Sequence, residues 1–218
     1  MERLYQQKPE LIVIQPFATI DTAHVNEVKK ALSKHYALQV EILSAQPLPR
    51  AAQTQYIPEI ARLGLGNRYR ADTLLRHLKA LKPKGAAYII GLTNQDISST
   101  KRIKGEIKQP TWLYTDWGLF GLGTRPGKSC VVSTFRLYRY TNELGMRKRL
   151  RKIAIHEIGH NIGLKHCPKS YCLMRDALEK MQTIDGAKEA RRAGVRRPRW
   201  ARGPRRAGRR RAGPRWLR

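Results

Sequence analysis

The sequence predicts an α/β (α+β) fold in which helices pack on a mixed β-sheet. Two observations carry that prediction. Short apolar runs alternate with helix-period segments through the first half of the chain, and two more strand-like runs then precede one long helix. The part of the chain before a sharp change in composition, about 185 of 218 residues, is long enough to bury one core.

Residues 11–16 (LIVIQP) read as a short buried strand. Asp21 is placed to cap a helix running to about His35, with Ala23, Val28, Ala31 and Leu32 near helical spacing. Residues 38–43 (LQVEIL) alternate as a strand does. Residues 44–68 carry Pro47, Pro49 and Pro58, which interrupt any long element. A helix follows over 72–81, where Leu74, Leu75, Leu78 and Leu81 form one stripe, and Pro83-Lys84-Gly85 ends it. Residues 86–92 (AAYIIGL) read as a central strand buried on both faces. The polar, basic stretch 93–116 is expected to be a loop or insertion at the rim. Two strands are expected over 117–123 and 130–137, separated by Arg125-Pro126-Gly127. The last expected element is a helix over 143–163, capped by Thr141 or Asn142.

That helix carries the chemistry. Residues 156–166 read HExxHxxGxxH. Four residues of α-helix turn through about 400°, so His156 and His160 lie one above the other on the same face. Two imidazoles so placed can both reach a metal at roughly 2.0–2.1 Å. Glu157, next to the first histidine, can lie beside the open side of the ion and take a proton from water there. Gly163 tolerates a left-handed conformation, so the helix can end there and the chain return to bring in His166 as a third ligand. Three protein ligands leave a fourth position for water, as in a catalytic zinc site. His24, His35 and His77 have no such company and are read as surface or helix-packing residues.

The continuation, His166-Cys167 to Cys172-Leu173-Met174, reads HCxxxxCxM. A long zinc motif followed by a methionine in a turn marks the metzincins. With these two cysteines at this spacing, the chain resembles the archaemetzincins from about residue 10 to about 185. The strand over 127–137 also looks like the one that precedes the active-site helix in that family. The resemblance implies a metzincin-like sheet with packed helices and a zinc peptidase. It places Met174 as a packing floor beneath the metal and the substrate antiparallel to an exposed edge strand, for which 117–123 is the candidate.

The resemblance also implies a structural zinc held by Cys167, Cys172 and a later CxxC. The positions where CxxC is due hold Arg192 and Val195, and the chain's only other cysteine is Cys130. Four thiolates are therefore not available within one chain, which puts the second zinc in doubt. Three arrangements stay open for Cys167 and Cys172: free thiols, a metal shared with Cys130, or a pairing with each other.

Residues 187–218 form an Arg-rich tail beyond the peptidase domain expected over 1–186. From Lys188 onward there are thirteen Arg and one Lys against one acid, Glu189, so this stretch carries +13 of the formal +28. Its composition predicts disorder. It reads as a nucleic-acid or anionic-surface arm, as a plain solvated tail, or as the product of a frameshift in GC-rich DNA that replaced the native end.

No secretory signature opens the chain, no run approaches the roughly 18 apolar residues of a membrane span, and three cysteines do not make a secreted disulfide framework. A cytoplasmic protein with no membrane partner is expected. The functional expectation is a zinc-dependent peptidase with one catalytic Zn²⁺, Glu157 as general base, and a peptide or protein substrate. Tyr171 and Arg136 are assigned structural roles. The basic run Arg147-Lys148-Arg149, Arg151-Lys152 and the loop Lys101-Arg102-Ile103-Lys104 are candidates for steering acidic substrates. The alternatives are a catalytically weak zinc-binding protein of the same fold and a nucleic-acid binder acting through the tail.

Overall fold

The computed structural model describes residues 11–17, 19–54, 58–62, 66–177 and 180–188. Along the chain come β1 (Leu11–Pro16), α1 (Thr22–Tyr36), β2 (Gln39–Ile42), a 3₁₀ turn (Arg50–Ala52) and α2 (Pro58–Arg62). Then follow β3 (Tyr69–Arg70), α3 (Ala71–Leu81), β4 (Ala86–Thr93), β5 (Ile97–Ser99), β6 (Arg102–Ile103), β7 (Glu106–Ile107) and α4 (Thr111–Tyr114). The last elements are β8 (Trp117–Leu119), β9 (Gly121–Gly123), β10 (Ser129–Ser133), α5 (Glu143–Ile162) and α6 (Met181–Gly186). The Arg-rich tail from residue 189 lies outside the described residues. Among those described, no helix is long and apolar enough to cross a membrane.

The main sheet has the order β2-β1-β4-β10-β9. Its first four strands are mutually parallel, and β9 joins β10 antiparallel as an edge. Parallel strands need covered faces, and alternate side chains of β1, β4 and β10 feed two separate cores. Ile12, Ile14, Ile90, Leu92 and Val132 pack with α1, α5 and α6 on one side. Val13, Ile89 and Val131 pack with Phe17 and the leucine stripe of α3 on the other.

The caps follow local chemistry. Asp21 accepts from the Ala23 N–H at 2.7 Å and starts α1. Asn142, rather than Thr141, starts α5 by accepting from the Gly145 N–H at 3.0 Å. Gly163 ends α5 at φ 105°, in the left-handed region that glycine enters without a Cβ clash.

Three stretches differ from the sequence expectation. Residues 93–116 are not a plain rim loop, because β5 pairs with β3 and β8 in a second sheet and β6 with β7 in a hairpin. The polar composition hid these strands because the charges satisfy one another. Arg68 donates to Asp96 at 2.9 Å and to the Asp116 carbonyl, Ser98 donates to Asp116, and Arg136 grips Asp96 with two bonds of 2.6 and 2.7 Å. Arg136 is thus structural, as expected, and its guanidinium lies directly against Gly118. Residues 117–123 are two strands in two sheets, β8 and β9, with Phe120 at the junction. The strand expected over 130–137 ends at Ser133, whose hydroxyl donates to the Gln95 carbonyl at 2.6 Å as the chain turns away.

Candidate metal centre and cleft

Helix α5 holds His156, Glu157 and His160 where it passes the edge of the main sheet, and the turn at Gly163 returns the chain so that His166 meets them. One ring nitrogen from each of His156, His160 and His166 falls within 4.8 Å of the others. Among the described residues, these three form the one group of three or more metal-ligating side chains that converges in this way.

Their orientation is set from behind. His156 Nδ1 lies 2.7 Å from the Leu173 carbonyl and His160 Nδ1 lies 2.9 Å from the Leu164 carbonyl. A carbonyl only accepts, so each Nδ1 carries the proton and each Nε2 presents a lone pair. Asp176 Oδ2 stands 3.5 Å from His166 Nδ1 and favours the same tautomer there. His160 Nε2 and His166 Nε2 end up 3.2 Å apart. Two lone pairs at that distance repel unless a cation lies between them. Two nitrogens at tetrahedral angles around a metal roughly 2.0–2.1 Å away would be about 3.3 Å apart. The donor set therefore fits a zinc ion.

Burial lowers the His156 pKa to about 4 and lowers that of His160, so both imidazoles are neutral, the form that ligates metal. Glu157 is 7% exposed, and burial raises its carboxyl pKa to about 8. A nearby dication would oppose that shift.

Met174 lies in a turn with its sulfur under the helix, 2.6 Å from where a Cβ on Gly159 would stand. The same turn provides the Leu173 carbonyl behind His156, and Met174's own carbonyl accepts from the Cys167 N–H at 2.8 Å. The resemblance singled out Met174, but spacing alone does not reveal that its neighbour orients a histidine.

Cys167 and Cys172 are free, partly exposed thiols that hydrogen-bond each other. The Lys169 N–H and Cys172 lower the pKa of Cys167, while burial raises that of Cys172. Cys130 is fully buried in β10 within the core. The two are not paired with each other, and Cys130 does not converge with them as a shared metal would need. Tyr171 is exposed and is not among the residues lining the cleft. His24 is buried against Glu143 at 2.7 Å, His35 packs on Tyr36 and His77 lies near Phe17, the packing roles expected of them.

A cleft of about 430 Å³ runs past the histidines. Its floor is 118–123, and its far wall includes Leu173, Ala177, Thr183, Ile184 and Ala187. Sequence periodicity did not reveal α6, which supplies Thr183 and Ile184 to that wall. The helix is fastened by Arg149, bonded twice to Asp185, and by Lys152, which donates to the Ile184 and Asp185 carbonyls. Arg147 and Arg151 pair with Glu143 and Glu27. Most of the basic run therefore secures structure rather than forming a free charged patch. The cleft has its own cations in Arg125 and Arg175, which the sequence did not single out.

A three-histidine cluster beside the buried Glu157 side chain, open to a largely apolar cleft, is consistent with the active site of a zinc metallopeptidase. Residues 11–190 match the family model of Peptidase family M54, and the chain belongs to that family. The archaemetzincin of Halobacterium salinarum is 29% identical over 161 residues, covering 70% of this chain and 79% of that protein. The archaemetzincin of Archaeoglobus fulgidus reaches 47% identity over 67 residues, covering 31% of this chain and 40% of that one. Its crystal structure, a complex with malonate, matches with a TM-score of 0.59 and 26% identity over 81% of this chain and 92% of its own. The archaemetzincin of Methanopyrus kandleri shares the fold at a TM-score of 0.61 and 23% identity, over 85% of this chain and 90% of that one.

Proposed function

We propose that this chain is a zinc-dependent peptidase with His156, His160 and His166 as ligands of one catalytic zinc and Glu157 as general base. The observation that carries the reading is the convergence of three imidazole lone pairs beside a buried carboxylate at the wall of a cleft. A zinc ion there would supply Lewis acidity toward a substrate carbonyl and lower the pKa of water to near 7.

The chain's own residues do the rest. The Leu173 and Leu164 carbonyls and Asp176 keep the rings in the ligating tautomer. Glu157 takes the proton of the attacking water and hands it to the leaving amine, a transfer that needs a carboxylate close to the scissile bond. The edge strand β9 offers main-chain groups for an extended peptide, and the apolar wall from Leu173 to Ala187 accepts a side chain. Among the described residues no further metal-ligating side chain converges on Cys167 and Cys172, so a second, structural zinc is not part of this reading.

Elemental analysis and hydrolysis of dye-labelled casein test the reading together. We expect one zinc per chain, and loss of activity on zinc chelation with recovery on zinc addition. Glu157→Ala should keep the zinc and lose about 100-fold or more in rate, at least the low end for a positioned acid–base group. Bound zinc with turnover indifferent to Glu157→Ala would leave only a zinc-binding protein of this fold.

A further inference from the structure

The edge strand β9 reads Gly121-Leu122-Gly123, and the two glycines face Glu157 while Leu122 packs with the opposite core. A Cβ built on Gly121 would stand 2.9 Å from Glu157 Oε1, 3.0 Å from its Cγ and 3.1 Å from Ile153 Cγ2. A Cβ on Gly123 would stand 3.0 Å from Glu157 Oε2 and 2.8 Å from the Glu157 carbonyl oxygen. Each carboxylate oxygen thus lies against one glycine, in a notch that any side chain on that face of the strand would fill. A glycine in a strand interior weakens the strand and marks a place where another group comes close. Two of them at alternate positions on one face mark a site two residues long.

Neither partner can retreat. Gly121 is in register with Val132 and Gly123 with Cys130, and the Ser133 N–H donates to the Phe120 carbonyl at 3.0 Å, so β9 is held to β10 along its length. On the other side Ala154 and Ile158 are fully buried, and His156 and His160 are tied by their Nδ1 bonds. An added methyl must therefore move the carboxylate.

We propose that Gly121 and Gly123 are positioning residues that keep the Glu157 carboxylate in its working place by leaving it a two-residue notch in the edge strand. The inference rests on Glu157 being the general base. It assigns to the glycines the precision of the proton transfer, not metal binding or peptide affinity.

The test is Gly121→Ala in the full chain, with casein hydrolysis, zinc content and a crystal structure as readouts. We expect kcat to fall about 10- to 100-fold, the scale of a misplacement of about 1 Å, with KM and zinc content near wild type. In the Glu157→Ala background the same change should cost less than about 2-fold, since two residues acting through one group are not additive. In the crystal the carboxylate should shift by at least about 0.5 Å, which brings a 2.9 Å contact to an ordinary 3.4 Å. Should the variant fold poorly because of Ile153, the pair Gly121→Ala with Ile153→Ala, measured against Ile153→Ala alone, removes that contact and reads the carboxylate contact by itself. Wild-type kcat, an unmoved carboxylate, or a loss confined to KM or zinc content would overturn the proposal. Full activity of Glu157→Ala would instead overturn the role of Glu157, whatever the glycine variant does.

Discussion

Replacing Arg149 tests how α6, and with it one wall of the cleft, is held. Arg149 is 5% exposed and spends all its visible hydrogen bonds inward. One nitrogen donates to the Leu137 and Arg139 carbonyls at 2.8 and 2.6 Å, and two others grip Asp185 at 2.8 and 2.7 Å. In Arg149→Met the aliphatic stem is kept, so the cost is mainly polar. Leu137 is fully buried, and orphaning its carbonyl should cost about 1–3 kcal/mol. The Arg139 carbonyl is partly accessible to water and should add about 0.5–1 kcal/mol. The Asp185 carboxylate is half exposed, so its ion pair adds about 1 kcal/mol or less.

Together these give about 1.5–5 kcal/mol for Arg149→Met against about 1 kcal/mol or less for Asp185→Asn. Urea denaturation of both variants, compared at equal slope, reads the difference. Equal losses would refute the reasoning, because the ion pair rather than the carbonyl bonds would then be what matters.

Two further outcomes are expected. Asp176→Asn removes the carboxylate behind His166, and zinc affinity in competition with a chelator should drop about 10-fold, the low end for a group half open to water. Unchanged affinity would show that His166 needs no such partner. Hydrogen bonds from Arg147, His24 and Tyr138 lower the Glu143 pKa to about 2, and Arg149 lowers that of Asp185. Carboxyls lowered in the folded state contribute stability above their ordinary pKa, lost as pH falls through the folded value. The share of melting temperature that these two carboxyls supply should therefore hold between pH 7 and 5 and decline below about pH 4. Both groups are about half exposed, so Glu143→Gln should flatten the decline only slightly. A decline starting above pH 5 would point to other groups.

How much of this was legible in the residues differs from element to element. The strands and helices of the main sheet followed from local pattern, because each buries an apolar stripe or alternation that the residues spell out. β5 was obscured because its charged and polar neighbours, Arg68, Asp96 and Asp116, look solvent-facing until they are seen paired. α6 was missed because six residues are too few to show a period.

The sequence alone determined the histidine triad and Glu157, since a helix and a glycine turn impose their relation over a short span, whereas Met174 was singled out by the resemblance. It also showed three cysteines, one fewer than the four thiolates the resemblance implies for a second zinc. Only the tertiary structure decided what surrounds them: the Leu173 carbonyl behind His156, the glycine notch against Glu157, and the wall that Arg149 and Lys152 fasten to α5. Those contacts join residues far apart in the chain, and no local spacing encodes a meeting that packing brings about.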